Sequence, residues 1–411
     1  MPTAQNGADM AVLIVGASVA GVRAAQALRS AGSTAEITVL GEEPHHPYDK
    51  PPLSKEMLLP GGDGAAVPLL SEEDVAHLGL DIRLNVRATG LDPWNRTVRT
   101  ADGGQTGYDE LIIATGAAAR TLPGTEGIGG VYTIRTAQDA IALRGELEGG
   151  RRAVVIGAGF IGAEFASAAS AHGVDVTIVE QQEQPLASVL GAEVGREIAA
   201  LHTANGVALL TGVAVAGVEA DERVRGVRLA DGRLLAADVV VVGIGAVPGT
   251  AWLAGSGLST ENGVLCDERL RAVGVDHVHA VGDVARWPHP FYGTGMRIEH
   301  WTNANEHAAV VAADLTGGPM PRPTLPYVWS DQYGRRIQIV GRPAAGTPVL
   351  VKPGPAPLAV YTDPGGVLVG AVVVDDPRAL MKLRKAVLAR LPLAELDLAG
   401  MAGVRTSTAA G

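Results

Sequence analysis

The sequence predicts an α/β chain made of two Rossmann-like dinucleotide-binding domains and a C-terminal α+β domain. Three observations carry this. Ala11-Val-Leu-Ile-Val-Gly16-Ala-Ser18-Val19-Ala20-Gly21 is an apolar strand, a tight Gly turn and a helix start. Ala153-Val-Val-Ile-Gly157-Ala-Gly159-Phe160-Ile161-Gly162-Ala-Glu164 repeats that order in mid-chain. Each turn aims backbone N–H groups and a positive helix end at a pyrophosphate. From Pro323 onward the pattern changes to alternating and hairpin-like segments.

In chain order, residues 11–40 read strand, helix, strand. The first helix closes over Gln26–Ser30, Gly32 ends it, and Glu36–Leu40 is the second strand. Glu42 follows Gly41, where an acidic residue accepts hydrogen bonds from an adenosine ribose. Residues 43–70 hold too much Pro and Gly for regular structure throughout. Tyr108 to Thr115-Gly116 is a buried strand entering a Gly turn. Residues 151–180 repeat the strand–helix–strand pattern and put Glu180 at the end of Val176–Val179. Val239–Gly245 and Val278–Asp283 are two more buried strand-to-Gly elements. The second unit therefore reads as an insertion in the first. This assigns 1–116 and 248–322 to one discontinuous domain, 117–247 to the inserted domain and 323–411 to the last. In that last domain Val328–Val340 alternates. Leu358–Val374 reads as a hairpin around Asp363-Pro-Gly-Gly366, and Arg378–Arg390 reads as helix.

Composition narrows the function classes. With 47% hydrophobic and 19% charged residues the chain reads as a globular protein of several domains. Its apolar runs fall far short of the ~18 residues that span a bilayer. Met1–Asp9 is polar and lacks a signal peptide's basic and apolar regions, so the expected location is the cytoplasm. A net charge of −11 disfavours nucleic acid as a partner. From Pro323 onward, however, ten cations face six anions, a net +4, which leaves −15 on the rest. Cys266 is the sole cysteine. One thiol allows no intrachain disulfide, no dithiol relay and no cysteine-ligated iron–sulfur cluster. Cys266 sits in a strand-like Gly263–Asp267 and reads as half-buried and structural. His45-His46 and His277-Val-His279 have suggestive spacing but no carboxylate or thiolate constellation around them, so no metal is expected.

Two dinucleotide units in one chain suggest a flavin beside a nicotinamide. The more specific motifs are Pro47-Tyr-Asp-Lys50-Pro-Pro-Leu-Ser54-Lys55, Arg297-Ile-Glu299-His-Trp301 and Trp329-Ser-Asp-Gln-Tyr333. With them, nearly the whole chain resembles the FAD-dependent, NADH-using ferredoxin reductases. These share the glutathione-reductase-like pair of Rossmann units. The third motif resembles the signature of their C-terminal domain.

The resemblance implies FAD on the first unit, at Gly16, Val19, Ala20 and Gly21. Ser18 replaces the usual second Gly; its Cβ crowds the pyrophosphate, while its hydroxyl can donate to it. Glu42, Lys50, Ala88, Thr115, Gly116, Arg135, Gly282, Asp283, Glu299 and Trp301 match further FAD-contacting positions. Asp283 also reads as a helix N-cap. The resemblance puts NADH on the second unit, at Gly157, Gly159, Phe160, Ile161, Gly162 and Gly245. Glu180 is placed to bond the adenosine 2′-hydroxyl and repel a 2′-phosphate, and Gln181-Gln182 supply no cation for NADPH. Many relatives carry Arg where Ser188 stands, and Arg where Lys50 stands. Lys55 and Glu164 match an ion pair beside the flavin and nicotinamide, with Lys55 stabilising negative charge on the reduced flavin. His300 reads as packing beside the flavin.

The implied activity is NADH:ferredoxin reductase: hydride from NADH to FAD, then single electrons to a small, acidic [2Fe–2S] ferredoxin. That ferredoxin would supply a cytochrome P450 or a Rieske oxygenase. Arg335, Arg336, Lys382, Arg384 and Lys385 read equally as a docking footprint or a solvated helix face. Trp301 and Trp329 read as flavin-rim or core residues. Two alternatives remain. One is an NADH oxidase or quinone reductase; NADH oxidases and peroxidases of this type use a redox Cys early in the chain, absent here. The other is an NADH-sensing flavoprotein of the apoptosis-inducing-factor type.

Overall fold

Ala11–Val15 reads as an unbroken apolar run because it has a parallel neighbour on each side and is buried on both faces. In the computed structural model, which describes residues 10–401, it pairs with Glu36–Leu40 (Ala11 opposite Glu36) and with Glu110–Ile113 (Val12 opposite Glu110). Val278–Ala280 and Leu80–Arg83 complete a five-stranded parallel sheet. The first helix, Val19–Ser30, buries Val22, Ala25 and Leu28 and packs against the helix Trp301–Thr316. Gly32, at φ +83, turns the chain out of it, a conformation that costs glycine little.

The second fingerprint builds a like parallel sheet, except that its edge strand beside Val239–Val242 comes before the fingerprint in the chain. Arg152–Ile156 is the middle strand, Asp175–Val179 and Ala208–Leu210 lie on one side, and Val239–Val242 and Val131–Tyr132 on the other. The first Gly of each turn donates its N–H to the last residue of the following strand. Gly16 reaches Leu40 O and Gly157 reaches Val179 O, both at 2.8 Å.

The C-terminal region is a five-stranded antiparallel sheet with the helix Pro377–Leu388 on it. The alternating stretch is two strands, Tyr327–Gln332 and Arg335–Gly341, joined through Tyr333 (φ +51) and Gly334 (φ +73). A two-residue turn with both φ positive matches the twist of the flanking strands. The helix starts on Pro377, with the Asp376 carboxylate accepting the Ala379 N–H at 2.9 Å. It stops short of Arg390, whose φ is +51.

The chain divides into two compact units. One takes residues up to Pro52, Ala66–Ala118 and Ala246–Thr324; the other takes Leu53–Ala65, Ala119–Gly245 and the chain from Leu325. In the second unit Leu190, Val194, Ile198 and Leu201 share a core with Ile337, Ile339, Tyr361 and Val372 of the C-terminal sheet. Met1–Asp9 and Arg405, used in the sequence reading, lie outside the described residues. Among the described residues no helix is long and apolar enough to cross a membrane.

Two expectations need correction. Cys266 is not half-buried but 3% exposed, inside the core of the first unit. It follows the strand Val264–Leu265, bridges to Ala272 and donates its N–H to Arg286 O, contacts that alternation within a short window does not reveal. Asp283 is not a helix N-cap. It lies within a short 3-10 turn, Gly282–Val284, that runs into the strand Ala285–Pro288.

Three buried histidines give a pH prediction. Burial pushes His202 and His300 down to about 4, and burial with nearby His289 pushes His307 down to about 3. The folded state thus holds them neutral, while the unfolded chain protonates them near the ordinary value of about 6.5. Their neutral forms contribute stability fully above that value, and it is lost as pH falls toward 4. The unfolding midpoint should be flat above pH 7 and fall between 6.5 and 4. Replacing His202 by Gln should shallow that fall, as denaturant titration across pH would show.

Candidate dinucleotide and ion-pair sites

In the first unit the glycines of the fingerprint permit contacts that a side chain would block. A Cβ on Gly16 would stand 2.2 Å from Ala114 O, and one on Gly21 would stand 2.0 Å from Gly16 O. The helix therefore sits directly on the turn. Ser18 occupies the N-cap with no side-chain cap bond, and the first turn holds no acid. The N–H groups of Val19, Ala20 and Gly21 have no acceptor within the helix. The second helix, Phe160–Ala171, repeats this: Gly159 is the N-cap and no acid lies in the first turn. A Cβ on Gly162 would lie 2.4 Å from Gly157 O, and one on Gly157 would lie 2.5 Å from Gly243 O. By contrast, the helices starting at Glu72, Ala137 and Pro377 are capped by Ser71, Thr136 and Asp376. Two uncapped helix ends, cleared of acids and close to backbone, fit a pyrophosphate.

Other expected positions lie in the same unit, the Gly282-Asp283 turn directly against the fingerprint helix, where a Cβ on Gly282 would stand 2.8 Å from Ala20 Cβ. His307 Nδ1 accepts the Gly282 N–H at 3.1 Å. Arg297 donates to Asp283 O at 3.1 Å and pairs with Glu299 at 2.5 Å, joining those two positions. Thr115 Oγ1 donates to Gly249 O at 2.7 Å, with Gly116 following at φ +61. Glu42 is exposed, 3.9 Å from Arg87. The Val86 N–H donates to Gly41 O, which brings the segment entering Ala88 beside Glu42. Lys50 pairs with Glu43 at 3.0 Å and lies over the Tyr48 ring, 4.3 Å from its centroid. Trp301 Nε1 donates to Asp49 Oδ1 at 2.7 Å.

In the second unit the Glu180 carboxylate is tied to the turn itself. One oxygen accepts the Ala158 N–H at 2.9 Å and the other accepts Gln182 N–H at 2.8 Å. It is thus more than a solvated strand end. Gly245, at φ +98, accepts Arg120 N–H through its carbonyl. The Arg135 N–H donates to Asp139 ahead of the helix Ala137–Arg144, and Ser188 lies in the helical turn Ala187–Leu190.

Lys55 Nζ lies 2.9 Å from Glu164 Oε2, with side chains 9% and 2% exposed. Charges this buried need further partners. Ser54 Oγ donates to Glu164 Oε2 at 2.5 Å and Ser330 Oγ to Oε1 at 2.6 Å. Gln332 Nε2 backs Ser330 at 3.0 Å. The sequence reading gave Ser54, Ser330, Gln332 and Arg297 no role. Ser54 and Ser330 stand inside the quoted motifs, but their partner is far away in sequence.

The basic patch is narrower than the sequence suggests. Arg335 pairs with Asp375 at 3.0 Å and Arg336 with Asp331 at 2.7 Å. Arg384 lies 5.9 Å from the Tyr327 ring centroid. Lys382 and Lys385 are exposed on the outer face of Pro377–Leu388. Trp329 stacks on Tyr327 at 6.0 Å. His277 bonds Glu110 at 2.7 Å and His279 bonds Asp314 at 3.0 Å.

Comparison with known proteins places these features in context. The family model described as pyridine nucleotide-disulphide oxidoreductase matches residues 10–308, and that described as reductase C-terminal matches 327–403. The chain is 35% identical over 388 residues to rhodocoxin reductase of Rhodococcus erythropolis, covering 93% of this chain and 91% of that protein. It is 36% identical over 332 residues to the biphenyl dioxygenase system ferredoxin–NAD(+) reductase component of Paraburkholderia xenovorans, covering 80% of each. Among solved structures, the covalent putidaredoxin reductase–putidaredoxin complex matches with a TM-score of 0.89 at 30% identity, over 93% of this chain and 94% of that one.

Proposed function

Because the chain belongs to the pyridine nucleotide-disulphide oxidoreductase family, we propose that it is an FAD-dependent NADH:ferredoxin reductase whose electron acceptor is a small, acidic [2Fe–2S] ferredoxin. That ferredoxin would serve a cytochrome P450 or a Rieske oxygenase. One observation carries the choice within the family: the only cysteine is buried, and burial pushes its thiol up to about 12. A protonated lone thiol is neither a dithiol relay nor a peroxide-reactive thiolate. Electrons therefore leave without a cysteine intermediate.

The residues divide the task. The uncapped ends at Val19–Gly21 and Phe160–Gly162 would hold two pyrophosphates, FAD at the first and NADH at the second. Glu180, anchored to Ala158 N–H, keeps spare lone pairs for an adenosine ribose hydroxyl and repels a 2′-phosphate, so NADH is favoured over NADPH. Bound FAD supplies two-electron acceptance and one-electron release. Lys55 supplies a fixed positive charge, and Glu164, held by two serines, sets its direction. Lys382 and Lys385 offer the exposed positive charge that an acidic partner would meet.

The test is Cys266→Ser. The hydroxyl can keep the bond that Sγ makes to Val264 O. NADH-dependent ferredoxin reduction should stay within about twofold of wild type, since burial keeps the thiol protonated at neutral pH. Loss of turnover with intact folding would return a thiol to the mechanism and favour the oxidase reading.

A further inference from the structure

The loop that carries Lys55 has almost no regular structure of its own, only the short turn Pro51–Ser54. Its carbonyls are nonetheless taken up one after another. Lys55 and Ser54 hold Glu164 near the start of the helix Phe160–Ala171. At the other end of that helix His172 bonds Leu58 O through Nε2 at 2.7 Å. A carbonyl only accepts, so Nε2 carries the proton. Arg144, the last residue of Ala137–Arg144, donates to three more: Met57 O at 2.8 Å, Leu59 O at 2.9 Å and Gly62 O at 2.5 Å. Gly64 makes room for it. A Cβ there would stand 2.8 Å from Arg144 Cδ, and its φ is +70. The planar fork of five donors suits this task, and a lysine would not replace it.

We propose that Arg144 and His172 are positioning residues for Lys55. They fasten residues 56–62 onto the unit that carries Glu164, so that the charge of Lys55 is presented by the nicotinamide-side unit. The inference rests on the role given to Lys55 above. Neither side chain touches the reacting groups; each acts through the loop.

The test is a double-mutant cycle of Arg144→Gln and Lys55→Met, read as the rate of flavin reduction by NADH in rapid mixing, with amide hydrogen exchange over residues 56–62. Flavin content and thermal midpoint serve as controls. Arg144→Gln should slow reduction by about 10- to 100-fold, as a displaced positioning contact does. It should have little further effect in the Lys55→Met protein, and exchange over 56–62 should rise while Val154–Ile156 stays protected. Gly64→Ala and His172→Ala should act in the same direction, and His172→Gln, which keeps a donor, should restore part of the rate. These variants carry the test if Arg144→Gln folds poorly. Additive effects, or a wild-type rate in Arg144→Gln when Lys55→Met is slow, would overturn the positioning role and leave that of Lys55 standing. A wild-type rate in Lys55→Met would overturn the role of Lys55 and this inference with it.

Discussion

Lys55→Met should lower the rate of flavin reduction by NADH about 100-fold with little change in NADH affinity. The size follows from the role proposed for Lys55, one fixed charge, 9% exposed, facing a position where negative charge would develop. The change also leaves Glu164 buried at 2% exposure without its cation. Stranding one partner of a buried pair costs about 3–5 kcal/mol. Ser54 and Ser330 still donate to the carboxylate, so the loss should lie toward the lower end. Glu164→Gln should be milder in stability, because its carbonyl oxygen still accepts from one serine, yet it removes the anion of the Lys55–Glu164 pair. Rapid-mixing absorbance measures the rate and urea titration the stability. An unchanged rate in Lys55→Met would remove this residue from the chemistry.

Alanine at the last Gly of each fingerprint should separate the two cofactors. In Gly21→Ala the new Cβ meets Gly16 O at 2.0 Å, and in Gly162→Ala it meets Gly157 O at 2.4 Å. Each acceptor belongs to a glycine whose own N–H is anchored, to Leu40 O and Val179 O, which limits how far the turn can retreat. The helix must shift away from its turn, carrying its free N–H groups with it. Overpacking of this kind costs about 1–3 kcal/mol or more, and each 1.4 kcal/mol is tenfold in binding. Gly21→Ala should therefore purify with little FAD. Gly162→Ala should keep its FAD and bind NADH about 10- to 100-fold more weakly. Flavin absorbance per chain and NADH titration decide the matter. The reverse outcome, with Gly162→Ala shedding FAD, would exchange the two assignments.

Both sheets and the glycine turns were legible because the cause lies within a short window. An apolar run next to Gly16 or Gly157 needs no distant partner to declare itself. The C-terminal hairpin was half legible: Val328–Val340 alternates, but the turn at Tyr333-Gly334 depends on a positive φ that a tyrosine does not advertise. Apart from the Lys55–Glu164 pair, which the family resemblance implied, the side-chain contacts between distant segments stayed hidden. Ser54 and Ser330 reach Glu164 from 110 and 166 positions away, and Arg144 reaches Met57 O from 87. The charges of Arg335 and Arg336 were visible, while their neutralisation by Asp375 and Asp331 depended on how the strands pair. Asp283 misled because a strand-to-Gly element usually opens a helix, and here Gly282–Val284 leads into another strand.

The most direct test is NADH-dependent reduction of cytochrome c by the purified yellow protein, with and without an added [2Fe–2S] ferredoxin, and with NADPH in parallel. A large rate that requires the ferredoxin, with little for NADPH, is the expected result. Rapid flavin reduction without ferredoxin-dependent turnover across several ferredoxins would contradict it, and would point to an oxidase, a quinone reductase or a redox sensor.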